Sequence, residues 1–180
     1  MLDVGSSTGG FTQYALQHGA TKVIAVDVGT EQLHPSLRSD ERIELHEKTD
    51  IRDVLPYGAE GGRKKEEVGR PSSSFVILSS RPDMVVADVS FISLREILPA
   101  ISRLVTPDSE LVMMVKPQFE AGQSSLKHKG VIKNDKMRRE ILKDFETWAL
   151  QHFRTIAKAD SGVAGSKGNV ERFYLLRKLG

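Results

Sequence analysis

Met1-Leu2-Asp3-Val4-Gly5-Ser6-Ser7-Thr8-Gly9-Gly10-Phe11 opens the chain, and its reading decides the fold. The first four residues read as the end of a strand and the glycine-rich run as a turn. Gly10 to His18 then reads as a helix, with Gly19 as its stop. Glycines in such a turn permit positive φ and let a ligand lie close against the backbone. No Gly-Lys-Ser/Thr follows, so the turn is not a P-loop, and the Gly-x-Gly-x-x-Gly of dinucleotide sites is absent. Asp3 would repel a pyrophosphate, but it suits a ligand carrying an ammonium or a sulfonium. Gly5, Ser6, Ser7, Thr8, Gly9, Gly10 and Phe11 are the candidate loop contacts.

Working outward, strand and helix alternate. Lys22 to Asp27 is apolar, β-branched and ends on an acid; Met84 to Asp88 repeats the plan, and Leu111 to Lys116 ends on a base. Near-continuous apolar runs of this length suit strands buried on both faces of a parallel sheet. Arg42 to His46 is a further strand, and Phe173 to Leu176 a late one that pairs with Phe153 to Ala157. Ser93 and Glu96 read as a capping box, with Pro99 either kinking the helix that follows or delaying its start. Asn134 caps a helix to about Gln151 whose apolar face is Met137, Ile141, Phe145, Trp148 and Ala149. Such alternation predicts an α/β fold with a mostly parallel central sheet and helices on both faces. Ligands bind these sheets at the carboxyl ends of the strands. Asp3, Asp27, Asp88 and Lys116 all stand there.

Asp27 ends the second strand, where an acid can accept hydrogen bonds from both hydroxyls of a ribose. Val28 follows it. Asp50, after the third strand, is placed to meet an adenine edge, with Ile51 packing on the ring. Together with the loop and Asp3 these residues describe a phosphate-free nucleoside joined to a positively charged amino acid tail. S-adenosylmethionine has that shape. A plain α/β turn with Asp27 as a helix cap explains any one of these residues, but not their order.

Bulk properties bound the rest. The chain has 180 residues, which points to one domain. It has no cysteine, which excludes disulfides and thiolate metal sites and fits a reducing, cytoplasmic setting; no metal ligand set is read among the five histidines. No apolar run approaches the ~18 residues of a membrane span, so no membrane partner is expected. The 26 basic and 24 acidic side chains leave a net charge of only +2, so charge alone does not imply nucleic acid. Residues 57–74, with four glycines, a Lys-Lys-Glu-Glu run and Pro-Ser-Ser-Ser, read as an exposed flexible insertion, and Ser124 to Gly130 as a second flexible loop. Phe75 to Leu78 has no evident place in the plan. A first strand that begins at residue 1 suggests a fragment of a longer protein.

The loop Leu2 to Thr12 resembles the cofactor loop of the FtsJ-like ribose 2′-O-methyltransferases, and most of all that of the hemolysin A (TlyA) branch. Val26-Asp27-Val28-Gly29, Ala87 to Leu94, Val115-Lys116-Pro117-Gln118-Phe119-Glu120 and Lys167 to Glu171 carry the likeness along nearly the whole chain. The resemblance implies a Rossmann-like S-adenosylmethionine-dependent methyltransferase fold. It also implies methylation of a ribose 2′-hydroxyl in ribosomal RNA, typically at a cytidine. The family's catalytic set is Lys-Asp-Lys-Glu; Asp88, Lys116 and Glu171 match the last three. The first lysine precedes the glycine loop, and the chain opens too late to contain it. An N-terminal S4-type RNA-binding domain is likewise expected upstream.

Lys116 could take the hydroxyl proton, or hold the oxygen and stabilise developing charge; the residues leave both roles open. The stretch from Gln123 to Lys143 carries Lys127, Lys129, Lys133, Lys136, Arg138, Arg139 and Lys143. It reads either as a contact for the phosphates of ribosomal RNA or as a solvated face. Phe119 reads as a stacking platform for a base or as packing beneath the loop. The alternative functions are a non-catalytic cofactor- or RNA-binding module and a membrane-active hemolysin. The second leaves the cofactor loop unexplained.

Overall fold

The computed structural model describes residues 1–59, 75–121, 131–132, 134–165 and 168–180. The turn sequence at the start behaves as read. Strand β1 (Leu2–Val4) runs into the glycine loop and then helix α1 (Gly10–Gln17), with Gly19 just past its end at φ +94°. Strands β2 (Val23–Val26) and β3 (Ile43–His46) follow, separated by the single turn α2 (Pro35–Arg38). Next come β4 (Val54–Leu55) and β5 (Val76–Ile77), then β6 (Met84–Ala87) and helix α3 (Leu94–Leu104). Strand β7 (Glu110–Val115), the short helix α4 (Pro117–Glu120), helix α5 (Asp135–Ala149) and strands β8 (Phe153–Asp160) and β9 (Arg172–Lys178) complete the order.

Seven strands form one sheet in the order β3-β2-β1-β6-β7-β9-β8. The first five run parallel, while β9 is antiparallel to both β7 and β8. The period-two alternation of the strands sends Leu2, Val4, Ile24, Val26, Val85, Ala87, Leu111 and Met113 to one face, where α3 and α5 pack Leu98, Ile101, Leu142 and Phe145 onto them. Each fully buried side chain of this size contributes about 1.5–3 kcal/mol relative to exposure. Helix α1 lies on the other face, where its Thr12 meets Asp3.

Three expectations need correction. Ser93 caps α3 by accepting the Arg95 N–H, but Glu120 rather than Glu96 supplies the reciprocal carboxylate, accepting the Leu94 N–H at 2.7 Å. Pro99 lies inside α3, which nonetheless starts at Leu94. On α5 the buried face is Leu142, Phe145 and Ala149, while Met137 and Ile141 are half-buried, a rotation of the expected stripe by about one position. Phe75 to Leu78 also finds a place: Val76 and Ile77 pair in parallel with Val54 and Leu55, and Leu78 is buried in the main core. Of the expected insertion, residues 60–74 lie outside the described residues, as does the Ser124 to Gly130 loop.

Candidate functional site

The sheet order reverses direction at β1, whose neighbours β2 and β6 lead away on opposite sides. A crevice at the carboxyl ends of the strands is expected at such a point. A cavity of 390 Å³ lies there, lined by Gly5, Ser7, Asp27, Val28, Asp50, Ile51 and Asp88, together with Gln32, Thr49 and the turn from Val89 to Ile92. Its lining holds three acids and no basic residue, so it favours a neutral or cationic ligand over a phosphate.

Each candidate has a definite station. Asp27 pins the loop to the end of β2: its Oδ2 accepts the Ser7 N–H at 2.8 Å and its Oδ1 the Gly29 N–H at 2.7 Å. A carboxylate oxygen accepts more than one hydrogen bond, so ribose hydroxyls can still be received. Gly5 has φ +79°, and a Cβ there would stand 2.6 Å from the Asp88 carbonyl oxygen and 3.2 Å from the Val89 side chain. The position is closed to any side chain. Ile51 is buried in the cavity wall, whereas Val28 is exposed at its rim. Asp50 lines the cavity but also receives Arg52 bidentately, at 2.9 and 2.6 Å, so its carboxylate meets a ligand edge already paired.

Asp3 is not where the sequence put it. It is wholly buried beneath the loop, with Oδ2 accepting the Thr12 hydroxyl at 2.6 Å. Burial pushes its carboxyl up to about 6, against the Thr12 hydrogen bonds and with help from the charges of Asp88 and Asp27. Among the described residues its Oδ1 has no hydrogen-bond partner, and neither has the buried Ser6 Oγ. Ser6, Thr8, Gly10 and Phe11 face a second, larger trough of 970 Å³ beside α1, which meets the first cavity at Gly5, Ser7 and Asp88. Gly9 lies against Leu33 and Leu37 instead. A ligand that spans the junction would lie against the loop backbone and reach Asp88.

Asp88 and Lys116 are brought together from the ends of adjacent strands. The Lys116 Nζ lies 2.6 Å from Asp88 Oδ1 and donates to Ser90 Oγ at 3.0 Å. Glu171 stands one residue beyond the last β7–β9 pair, Val115 with Arg172, at the Lys116 end of that ladder. It is half-buried, and its backbone carbonyl accepts the Ser161 N–H at 2.8 Å. Phe91, with φ +65° and 91% exposed, projects beside the site, its ring 5.3 Å from that of Phe119. Glu120 is sunk behind both, its carboxyl held above the usual carboxylate range by burial, against hydrogen bonds from Ser93 and Leu94.

Sequence reasoning missed Ser90, Gln32, Thr49 and Glu120 as parts of this site. Ser90 was visible inside the Ser-Phe-Ile-Ser run, but its tie to Lys116 crosses 26 positions. The basic stretch is corrected in part. Arg138 donates to Asp160 at 2.6 Å and to the Val170 carbonyl at 2.9 Å, so it is a structural tie rather than a free phosphate contact. Lys136, Arg139 and Lys143 are exposed on α5; Lys127, Lys129, Lys133 and Lys167 lie outside the described residues. No helix among the described residues is long and apolar enough to cross a membrane.

Comparison with known proteins bears directly on this geometry. Residues 1–178 match the model of the FtsJ-like methyltransferase family. The chain is 39% identical over 180 residues to the 23S rRNA (cytidine-2′-O)-methyltransferase TlyA of Campylobacter jejuni, covering 96% of this chain and 60% of that protein. It is 38% identical over 177 residues to the 16S/23S rRNA (cytidine-2′-O)-methyltransferase TlyA of Mycobacterium tuberculosis, covering 98% and 59%. A Lactococcus lactis protein provisionally described as a hemolysin has a solved structure that superimposes with a TM-score of 0.82 at 37% identity, covering 99% of this chain and 77% of that one. The chain thus spans a little under two thirds of the length of the two methyltransferases it matches.

Proposed function

The chain belongs to the FtsJ-like methyltransferase family, and on that premise we propose that it binds S-adenosylmethionine and methylates a ribose 2′-hydroxyl of ribosomal RNA, at a cytidine. The observation that carries this reading is the Lys116–Asp88 pair, 2.6 Å apart at the mouth of an acidic, phosphate-averse nucleoside cavity. The cavity fits the cofactor on three counts. Gly5 leaves a gap that a Cβ would fill, the buried Asp3 Oδ1 and Ser6 Oγ lack partners, and Asp27 stands at ribose height on β2. The printed activities of the two TlyA proteins support RNA as acceptor and cytidine as target.

When bound, S-adenosylmethionine supplies a methyl group already activated by its sulfonium. The chain's residues then have to align the acceptor and exclude water. Asp27, Gly5 and Ser7 hold the nucleoside end, and Ile51 and Ile92 wall it. Lys116, kept as an ammonium donor by Asp88 and Ser90, orients the ribose oxygen and stabilises the negative charge that grows on it. Glu171 flanks Lys116 from β9. Phe91 offers an exposed ring to an unstacked base. A lysine ahead of the glycine loop and an S4-type domain belong to this proposal for the longer protein.

Titration calorimetry with S-adenosylmethionine and S-adenosylhomocysteine tests the first half. Saturable binding, weakened about tenfold or more by Asp27→Ala through the loss of two charge-assisted contacts, supports the site. The second half is tested by methyl transfer to ribosomal subunits. Lys116→Ala should lower turnover about 10²–10³-fold with cofactor affinity within about threefold. Absence of binding by folded protein, or transfer to free nucleosides but not RNA, would overturn the proposal.

A further inference from the structure

Two turns carry the reacting pair: residues 88–93 after β6, and Lys116 with α4 after β7. At one end the turns are joined by the Lys116 ammonium, through Asp88 and Ser90. At the other end they are joined by Glu120, whose side chain is 1% exposed. Its Oε2 accepts the Ser93 hydroxyl at 2.6 Å, its Oε1 accepts the Leu94 N–H at 2.7 Å, and Arg95 Nε stands 3.4 Å from Oε2. The Lys116 carbonyl accepts the N–H groups of Phe119 and Glu120, which ties the two ends of the second turn to each other. Midway, the rings of Phe91 and Phe119 touch.

These contacts close a ring from Asp88 through Ser93 to Glu120, back along α4 to Lys116, and across to Asp88. A carboxylate taken out of water is costly unless its hydrogen bonds are met. A helix cap alone would not require it, because Ser93 already caps α3 through the Arg95 N–H. The ring also holds Phe91 at a positive φ that a bulky residue rarely adopts.

We infer that Glu120 is a positioning residue: it clamps the Asp88 turn against the Lys116 turn and so sets where the Lys116 ammonium stands relative to the reacting hydroxyl. The inference rests on the methyl-transfer reading for its kinetic consequence, but the clamp itself can be read without turnover. Glu120 lines neither the nucleoside cavity nor the trough, so its loss should act on alignment rather than on cofactor binding.

The test compares Glu120→Gln, which keeps the size but turns one acceptor oxygen into a donor, with Glu120→Ala and with Ser93→Ala. Transfer to ribosomal subunits gives kcat and KM, calorimetry gives the S-adenosylmethionine affinity, and the 13Cε resonance of Lys116, assigned by its absence in Lys116→Met, reports the ammonium's surroundings. Displacing a reacting group by an ångström costs about a hundredfold in rate. Glu120→Ala should therefore lower kcat about a hundredfold and Glu120→Gln about tenfold, with KM and cofactor affinity within about threefold and the Lys116 resonance moved in both. Ser93→Ala should move the resonance in the same direction.

Folded Glu120→Gln with wild-type kcat and an unmoved Lys116 resonance would overturn the inference. So would a loss expressed equally in cofactor affinity, which marks a general structural role. If the wild-type chain transfers no methyl group to RNA, the proposed function fails. The Lys116 resonance still decides the clamp, moved in its favour or unmoved against it.

Discussion

A single buried acid shows how this site is made. Asp3 sits under the glycine loop with one oxygen on Thr12 and the other without a partner among the described residues. The sequence placed it correctly at the end of β1, but could not show that its side chain turns away from the cavity. Strand alternation sends Leu2 and Val4 to the main core and Asp3 to the α1 face. Its carboxyl is raised from 3.8 to about 6, chiefly by burial. The folded protein therefore binds a proton that the unfolded chain has released between about pH 4 and pH 6, and stability contributed by this group falls as pH rises through that window. The expected slope belongs to Asp3 alone, so it is read as a difference. In denaturant titrations, the stability of Asp3→Asn minus that of wild type should grow by roughly 3 kcal/mol at most between pH 4 and pH 7. Parallel pH profiles for the two proteins would sink the assignment.

Elements were legible where a periodic pattern ran long enough, and obscure where the structure depends on distant partners. Strands β2, β6 and β7 announced themselves as apolar runs ending on a charged residue, and α5 through its cap and its period. The pairing of β4 with β5 was not readable, because two residues make no pattern and the partners are 22 positions apart. Helix α2 is one turn, capped by His34 and begun by Pro35, too short to show a face. The reciprocal cap of α3 was misassigned to Glu96 because the true carboxylate, Glu120, comes from another element. Of the site, Asp27, Asp88 and Lys116 were visible as strand-end charges, whereas Ser90 and Glu120 acquire their roles only when β6 and β7 lie side by side. Local caps that were read can be tested locally. Asn134 accepts the N–H groups of Lys136 and Met137 at 2.9 and 3.1 Å. Asn134→Ala should cost about 1 kcal/mol, seen as a lower urea midpoint with an unchanged m-value. A shift in m would mean that α5 unfolds separately.

On the scale of the whole molecule, the two faces of the sheet are unequally covered. Helices α3 and α5 seal one face into a continuous core from Ile24 to Leu176. On the other face α1 reaches β1 and β2. Beyond it the 970 Å³ trough runs over Val86 and Val112 to Met1 and Met84, walled by Phe11 and Tyr14. Tyr14 is 62% exposed and Met84 37%, so the trough presents apolar surface to solvent beside the very loop that receives the nucleoside. Contiguous apolar surface of this kind binds apolar ligands or drives association. The fully folded chain should therefore enhance the fluorescence of anilinonaphthalene sulfonate at neutral pH. Near-UV circular dichroism measured alongside distinguishes this from the dye binding of a loosened state. Met84→Glu adds a carboxylate at the outer lip of the trough, beside Asp83, and should remove at least about half of the signal, because burying the dye then brings an ion out of water. Cofactor affinity should stay within about twofold, since Met84 stands at the opposite end of β6 from Asp88. A native chain that leaves the dye dark, or a signal indifferent to Met84→Glu, would mean that the trough is closed in solution and that the site opens on the nucleoside cavity alone.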